Sequence, residues 1–309
     1  MSVVFLMGPT ASGKTALAME LAARFPCEII CVDSAQVYRG MDIGTAKPTL
    51  AQRAQVPHHL LDLCEPSEIY SAARFCDDAV KAIAQISARG KLPLLVGGTM
   101  LYFRTLQEGL SPLPRADAAV RQRIAQQARI HGWPALHARL GQLDAPTAAK
   151  LKPNDSQRIQ RALEVYELSG QPLSALQAVG RSGGLAGPIV KIGLCPAQRD
   201  VLHQRIAERF HQLMQQGFLD EVRRLHATAG LNPDLPSLRS VGYRQLWAHL
   251  EGQYDLPTAI ERGVAATRQL AKRQITWLRS ESQLNNLDPS EPNLVGKVLR
   301  ALEAGAEQG

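Results

Sequence analysis

No stretch of this chain approaches the roughly 18 consecutive apolar residues that a membrane-spanning helix needs, although apolar residues make up 45% of it. Cysteine is sparse. The five present (Cys27, Cys31, Cys64, Cys76 and Cys195) are odd in number, scattered, and form no C-x-x-C pair. That pattern argues against a disulfide framework and a zinc site, and favours a reducing cytoplasm without membrane attachment. A signal peptide is not expected either, because the apolar start Val3–Met7 gives way at once to Gly8-Pro9.

At 309 residues, a main domain with a smaller companion is the first expectation. The net charge of +7 is unevenly spread. Residues 1–100 carry 9 basic and 9 acidic side chains, residues 101–200 carry 13 and 7, and residues 201–309 carry 13 and 12. The excess in the middle third fits a polyanionic partner or a solvated Arg-rich surface, and charge alone leaves both open.

Apolar runs at Val3–Met7, Glu28–Val32, Leu92–Val96 and Ile189–Cys195 read as buried strands. Between the first two, Leu17, Leu21, Ala22 and Phe25 recur at helical spacing until Pro26. Strands alternating with helices indicate an α/β fold with a parallel sheet. The alternation breaks at 115–180, which reads as polar helices over Ala116–Ile130, Pro134–Leu143, Thr147–Leu151 and Asp155–Leu168. Pro112 and Pro114 mark one edge, and the run Gly180–Pro188 marks the other. This stretch is expected to be a helical insertion, with 9 basic against 5 acidic residues, in a core made of 1–114 and 181–309. Beyond it, Leu202, Ile206, Phe210 and Leu213 form an apolar stripe ended by Gly217, the chain to about 281 is mostly helical, and a last helix starts near Asn293.

The segment Gly8-Pro9-Thr10-Ala11-Ser12-Gly13-Lys14-Thr15 fits G-x-x-x-x-G-K-[ST] between a predicted strand and a predicted helix, the context a P-loop requires. Its glycines let backbone N–H groups curl toward anionic oxygens, beside a helix N-terminus. Lys14 adds a point charge, and the Thr15 hydroxyl is a candidate Mg²⁺ ligand. The motif signals a held diphosphate or triphosphate, not ATP hydrolysis. The usual partner is a strand ending in an acid that supports Mg²⁺, yet Leu92–Val96 runs into Gly97-Gly98-Thr99. Asp33, at the end of the second strand, is the available acid; it is either a base toward an acceptor or a turn cap.

Further blocks then carry a resemblance. They are Asp33-Ser34-Ala35-Gln36-Val37-Tyr38, Met41–Pro48, His58-His59-Leu60, Gly97–Tyr102, Asn154–Arg161, Arg239–Gln245 and Thr267–Gln274 leading to Trp277. With the P-loop, these blocks span nearly the whole chain, and in order it resembles the bacterial tRNA dimethylallyltransferases (tRNA isopentenyltransferases). The resemblance implies a P-loop NTPase-like parallel-sheet core with a helical tRNA-binding insertion. It implies a cytoplasmic, monomeric enzyme that uses Mg²⁺. Its substrates would be dimethylallyl diphosphate and the anticodon stem-loop of tRNA, where an adenine amine 3′ of the anticodon takes the prenyl group. By similarity, Gly8–Thr15 and Arg209 hold the diphosphate, Asp33 is the base, and Thr10, Lys14 and Arg209 assist transfer. The tRNA contacts would be Asp33, Ser34, Ala35, Gln36, Thr99, Arg121, Gln157, Arg158, Ile159, Gln160, Arg161, Arg239, Ser240, Val241, Gly242, Tyr243 and Arg244.

The residue chemistry suits this. An adenine amine is a poor nucleophile, so a positioned carboxylate should help, and the P-loop, Lys14 and Arg209 would offset charge on a leaving diphosphate. The adenine must first leave its stack, after which Ser34 and Gln36 could meet its edge. On the helix capped by Asp155, Ile159, Ala162, Leu163 and Tyr166 form the buried side, leaving Gln157, Arg158 and Arg161 on an exposed face. His58 and His59 lack partners at metal-ligand spacing and read as structural, as does Trp277 in packing. Arg268, Lys272 and Arg273 are open between nucleic acid and diphosphate. The rival readings are a small-molecule or nucleoside kinase with Asp33 as base, and an RNA-binding NTPase switch.

Overall fold

The apolar runs become neighbouring parallel strands, covered on both faces as such sheets require. In the computed structural model, which describes residues 2–306, the first part of the chain holds β1 (Val3–Met7), α1 (Lys14–Arg24), β2 (Cys27–Val32), α2 (Leu50–Gln55), β3 (His58–His59), α3 (Ala72–Ala88), β4 (Leu92–Gly97) and α4 (Met100–Glu108). Five helices follow: α5 (Ala118–His131), α6 (Trp133–Leu143), α7 (Ala145–Ala148), α8 (Ser156–Ser169) and α9 (Leu173–Ala178). The remainder holds β5 (Ile189–Leu194), α10 (Arg199–Gln215), α11 (Phe218–His226), α12 (Tyr243–Leu250), α13 (Leu256–Leu278), β6 (Leu284–Leu287) and α14 (Leu294–Ala306). No helix among the described residues is long and apolar enough to cross a membrane.

The six strands are parallel, in the order β3-β2-β4-β1-β5-β6. Alternate residues of a strand point to opposite faces. Val4 and Leu6 of β1 therefore join Leu17 and Leu21 of α1 and Val295 and Val298 of α14 in one core. Phe5 points the other way, its ring 4.9 Å from that of Phe103 on α4. The sheet order makes β1 central and places the carboxyl ends of β1, β2 and β4 along one edge, where open α/β sheets bind ligands. From those ends emerge Gly8, Asp33 and Gly98-Thr99.

The chain divides into two compact units, Met1–Arg104 with Ala186–Gly309, and Thr105–Leu185. The second has its own core of Val120, Ile124, Ala128, Leu136, Leu140, Ile159, Ala162 and Leu163. It begins ahead of the proline-marked edge because Leu110 exchanges two backbone hydrogen bonds with Ser182, and Leu185 N–H donates to Leu106 O. No local pattern announces pairing between positions so far apart.

Several boundaries differ from expectation for identifiable reasons. On α1 the buried side is Leu17, Ala18 and Leu21; Phe25 lies past the helix in extended backbone and is exposed. Asp144 accepts the Thr147 N–H, so α7 starts two residues early and Leu151 falls in a turn. The strand β6 was not anticipated, because Leu284-Asn285-Asn286-Leu287 is neither alternating nor β-branched.

Candidate active site

Gly13 adopts φ 92°, a left-handed conformation natural to glycine, and it turns the loop from β1 into the first residue of α1. Ala11 also lies at positive φ (61°), where a Cβ is strained. The loop wraps around the Lys14 ammonium, which donates to Pro9 O at 2.6 Å and to Ser12 Oγ at 3.4 Å. Ser12 is fully buried and its N–H donates to Pro9 O, whereas Thr15 is exposed on the first turn of α1.

Burial and then the charge of Arg209 lower the pKa of Lys14 to about 7, with Asp33 opposing. Burial likewise lowers that of Arg209, again opposed by Asp33. A carboxylate from the end of β2 thus acts on two cations, one from the loop and one from α10. An anionic ligand would restore the Lys14 ammonium.

Asp33 Oδ1 accepts the N–H groups of Ala35 (2.8 Å) and Gln36 (3.3 Å), so this carboxylate does cap its turn. Both readings of Asp33 are compatible, since one oxygen serves the turn while the carboxylate's charge still acts on both cations. Ser34 is exposed, and its N–H donates to Thr99 Oγ1 at 3.1 Å. Gln36 is oriented by Thr45 O and Ala46 O, which accept from its Nε2 at 3.1 and 3.4 Å.

The following segment is pinned from two sides. Lys47 Nζ, almost wholly buried, donates to Tyr38 O, Asp42 Oδ1 and Asp62 Oδ1 within 2.7 Å. Glu221, on α11 and 1% exposed, accepts the N–H groups of Asp42, Ile43 and Gly44 and the Tyr243 hydroxyl.

These contacts correct several expected tRNA contacts. Tyr243 is fully buried with its hydroxyl on Glu221, and Gly242 is buried beside Phe218, so neither is presented to a partner. Val241 and Ser240 are half-buried, while Arg239 and Arg244 are exposed. In the second unit, Ile159 is wholly inside the core. Arg161 is not on the exposed face expected for it, and Arg121 is half-buried too. Both bind the fully buried Glu164, Arg121 through two hydrogen bonds (2.8 and 3.1 Å) and Arg161 through one (2.7 Å). Arg161 also donates to Pro114 O, and Gln160 Nε2 to Arg121 O. Gln157 and Arg158 remain exposed.

Outside the site, His59 Nε2 meets buried Glu28 on the neighbouring strand at 2.7 Å and His58 Nδ1 meets Val56 O, which gives the pair a structural place. Arg104 lies over the Trp277 ring. On α13, Lys272 and Arg273 are exposed, and Arg268 Nη2 makes one long bond to His203 O.

Sequence reasoning assigned no role to Gln274 or Glu221. Gln274 Oε1 accepts the Thr10 N–H and its Nε2 donates to Gly98 O, both at 2.9 Å. Gln274 lies inside a motif block, which is its one signal; Glu221 has none, because its partners are a distant loop and a tyrosine on the next helix.

Known proteins resemble this chain in sequence and in fold. The family model described as IPP transferase matches residues 36–281. A tRNA dimethylallyltransferase of Thiobacillus denitrificans is 61% identical over 301 residues, 97% of this chain and 96% of the relative. One of Alkalilimnicola ehrlichii is 61% identical over 303 residues, 96% and 95% of the two chains. The crystal structure of full-length tRNA isopentenylpyrophosphate transferase from Bacillus halodurans has a TM-score of 0.71 and 36% identity, covering 99% of this chain and 98% of that one. A eukaryotic dimethylallyltransferase described as acting on tRNA gives 0.75 at 28% identity, covering 99% and 77%. Matched by the family model over most of its length and by relatives 61% identical along nearly the whole chain, the protein belongs to the tRNA dimethylallyltransferase (IPP transferase) family.

Proposed function

We propose that this protein transfers a dimethylallyl group from its diphosphate to the exocyclic amine of the adenine 3′ of the anticodon in tRNA. The observation that carries the reading is the electrostatic coupling of Asp33, at the carboxyl edge of the sheet, to two half-buried cations, Lys14 and Arg209. The cations and the loop's N–H groups bind the diphosphate and offset the charge that grows as the allylic C–O bond breaks. The amine nitrogen forms the new C–N bond, and Asp33 takes its proton. Ser34, Gln36 and Thr99 line the adjoining acceptor loop, where an extruded base would sit.

The donor chemistry suits a Mg²⁺ ion that arrives with the diphosphate. Thr15 offers a hard oxygen, and no cluster of three His, Cys, Asp or Glu side chains lies among the described residues to hold an ion alone. When bound, the ion would offset diphosphate charge. Exposed Arg158, Arg239 and Arg244 are the surface cations for tRNA phosphates. A tRNA substrate supports reading the enzyme as cytoplasmic, and we read it as a monomer. ATP would compete in the loop without being consumed.

The deciding experiment incubates the protein with dimethylallyl diphosphate, Mg²⁺ and unmodified tRNA, and then analyses the nucleosides by mass spectrometry. A prenylated adenosine is expected. Rapid tRNA-independent ATP hydrolysis without it would overturn the reading.

A further inference from the structure

We propose that Gln274 is a positioning residue that sets the spacing between the diphosphate loop and the acceptor loop, an inference that rests on the transferase reading above. The residue is 9% exposed, and its side chain bridges two strand ends. Oε1 takes the Thr10 N–H, from the loop after β1, while Nε2 donates to Gly98 O, from the turn after β4. The next residue, Thr99, accepts the Ser34 N–H beside Asp33. One planar carboxamide on α13 therefore ties the group that grips the leaving diphosphate to the segment that presents the acceptor.

The approach leaves no slack. A Cβ added at Gly98 would lie 2.3 Å from Gln274 Nε2, so a glycine there is what lets the amide close on the carbonyl. The Thr10 N–H is also committed to protein. Of the polar groups of Thr10 on this side, the hydroxyl is then the one left for a diphosphate, and its place follows Gln274. Glutamine is suited to this bridge because it offers a donor and an acceptor without charge. Ionised glutamate would keep the bond from Thr10 N–H but set an anionic oxygen against Gly98 O. Protonated glutamate offers the same donor and acceptor as glutamine.

The test uses Gln274→Met, of similar length without either bond, and Gln274→Glu. For folded Gln274→Met, we expect inorganic pyrophosphate to bind about tenfold more weakly, as for one lost hydrogen bond. Its single-turnover prenyl transfer at saturating substrates should slow by about 10- to 100-fold from misplacement of the reacting groups. The Gln274→Glu rate, taken relative to wild type at each pH, should rise as pH falls from about 8 toward about 5 and the carboxyl protonates. A purely structural role would alter the melting temperature and leave that ratio flat. A folded Gln274→Met with wild-type affinity and rate would overturn the proposal, as would a flat Gln274→Glu ratio, which decides the matter if the methionine variant does not fold. Wild-type protein that binds pyrophosphate but transfers no prenyl group would instead refute the transferase reading, and the pyrophosphate arm would still judge Gln274.

Discussion

Replacing Glu164 by Gln should unfold the second unit well before the wild type. The carboxylate is fully buried and receives Arg121 twice, Arg161 once and the Asp117 N–H at 2.8 Å. Breaking a buried ion pair by removing one partner costs about 3–5 kcal/mol. Both arginine side chains are 29% exposed, so water recovers part of that, and a loss of about 2–3 kcal/mol is expected. For a unit of this size, each kcal/mol lowers the melting temperature by about 4–8 °C. Thermal unfolding, with hydrogen exchange of α5 and α8 amides, reads the effect where it belongs.

The same group predicts an acid limb. Burial pushes the Glu164 carboxyl up, but the hydrogen bonds from Arg121 and Arg161 outweigh it and hold the pKa below the ordinary 4.5. Its contribution is therefore present above about pH 4.5 and lost as pH falls through the lower folded value. The Gln variant should lack that part of the acid limb. A melting temperature and exchange pattern equal to wild type would refute the view of Arg121 and Arg161 as structural cations.

Three further outcomes are expected. Asp33→Asn should slow single-turnover prenyl transfer by about 10²–10⁴-fold while tRNA affinity stays near wild type; wild-type turnover would remove Asp33 as base. Because the Lys14 pKa is about 7 in the free protein, diphosphate binding should take up protons near neutrality and weaken as pH rises above 7. Calorimetry in buffers of different ionisation heat measures this, and proton release would contradict it. Arg158, 74% exposed and paired with Asp155 on the surface, is the clean probe of the insertion. Its replacement by Ala should flatten the slope of log tRNA affinity against log salt by about 0.7–0.9, with stability changed by no more than about 0.5 kcal/mol; an unchanged slope would remove Arg158 from the phosphate contacts.

Features governed by near neighbours were legible in the sequence. Strand β1, the loop ending at Gly13 and Lys14, the Asp155 cap of α8 and the acid after β2 depend on residues a few positions apart, so spacing and turn chemistry determine them. What tertiary structure decided involves partners far along the chain. Arg121, expected from the resemblance to meet tRNA, is drawn instead to the buried carboxylate of Glu164, 43 residues on. Tyr243 is turned inward by Glu221, itself committed to the loop near Asp42 about 180 positions earlier. Gln274 meets Thr10 across 264 residues. A polar side chain on a helix has the same local signature whether it meets water, tRNA or a buried partner. Its fate is settled by which donors and acceptors packing leaves without water, and one sequence window does not contain them.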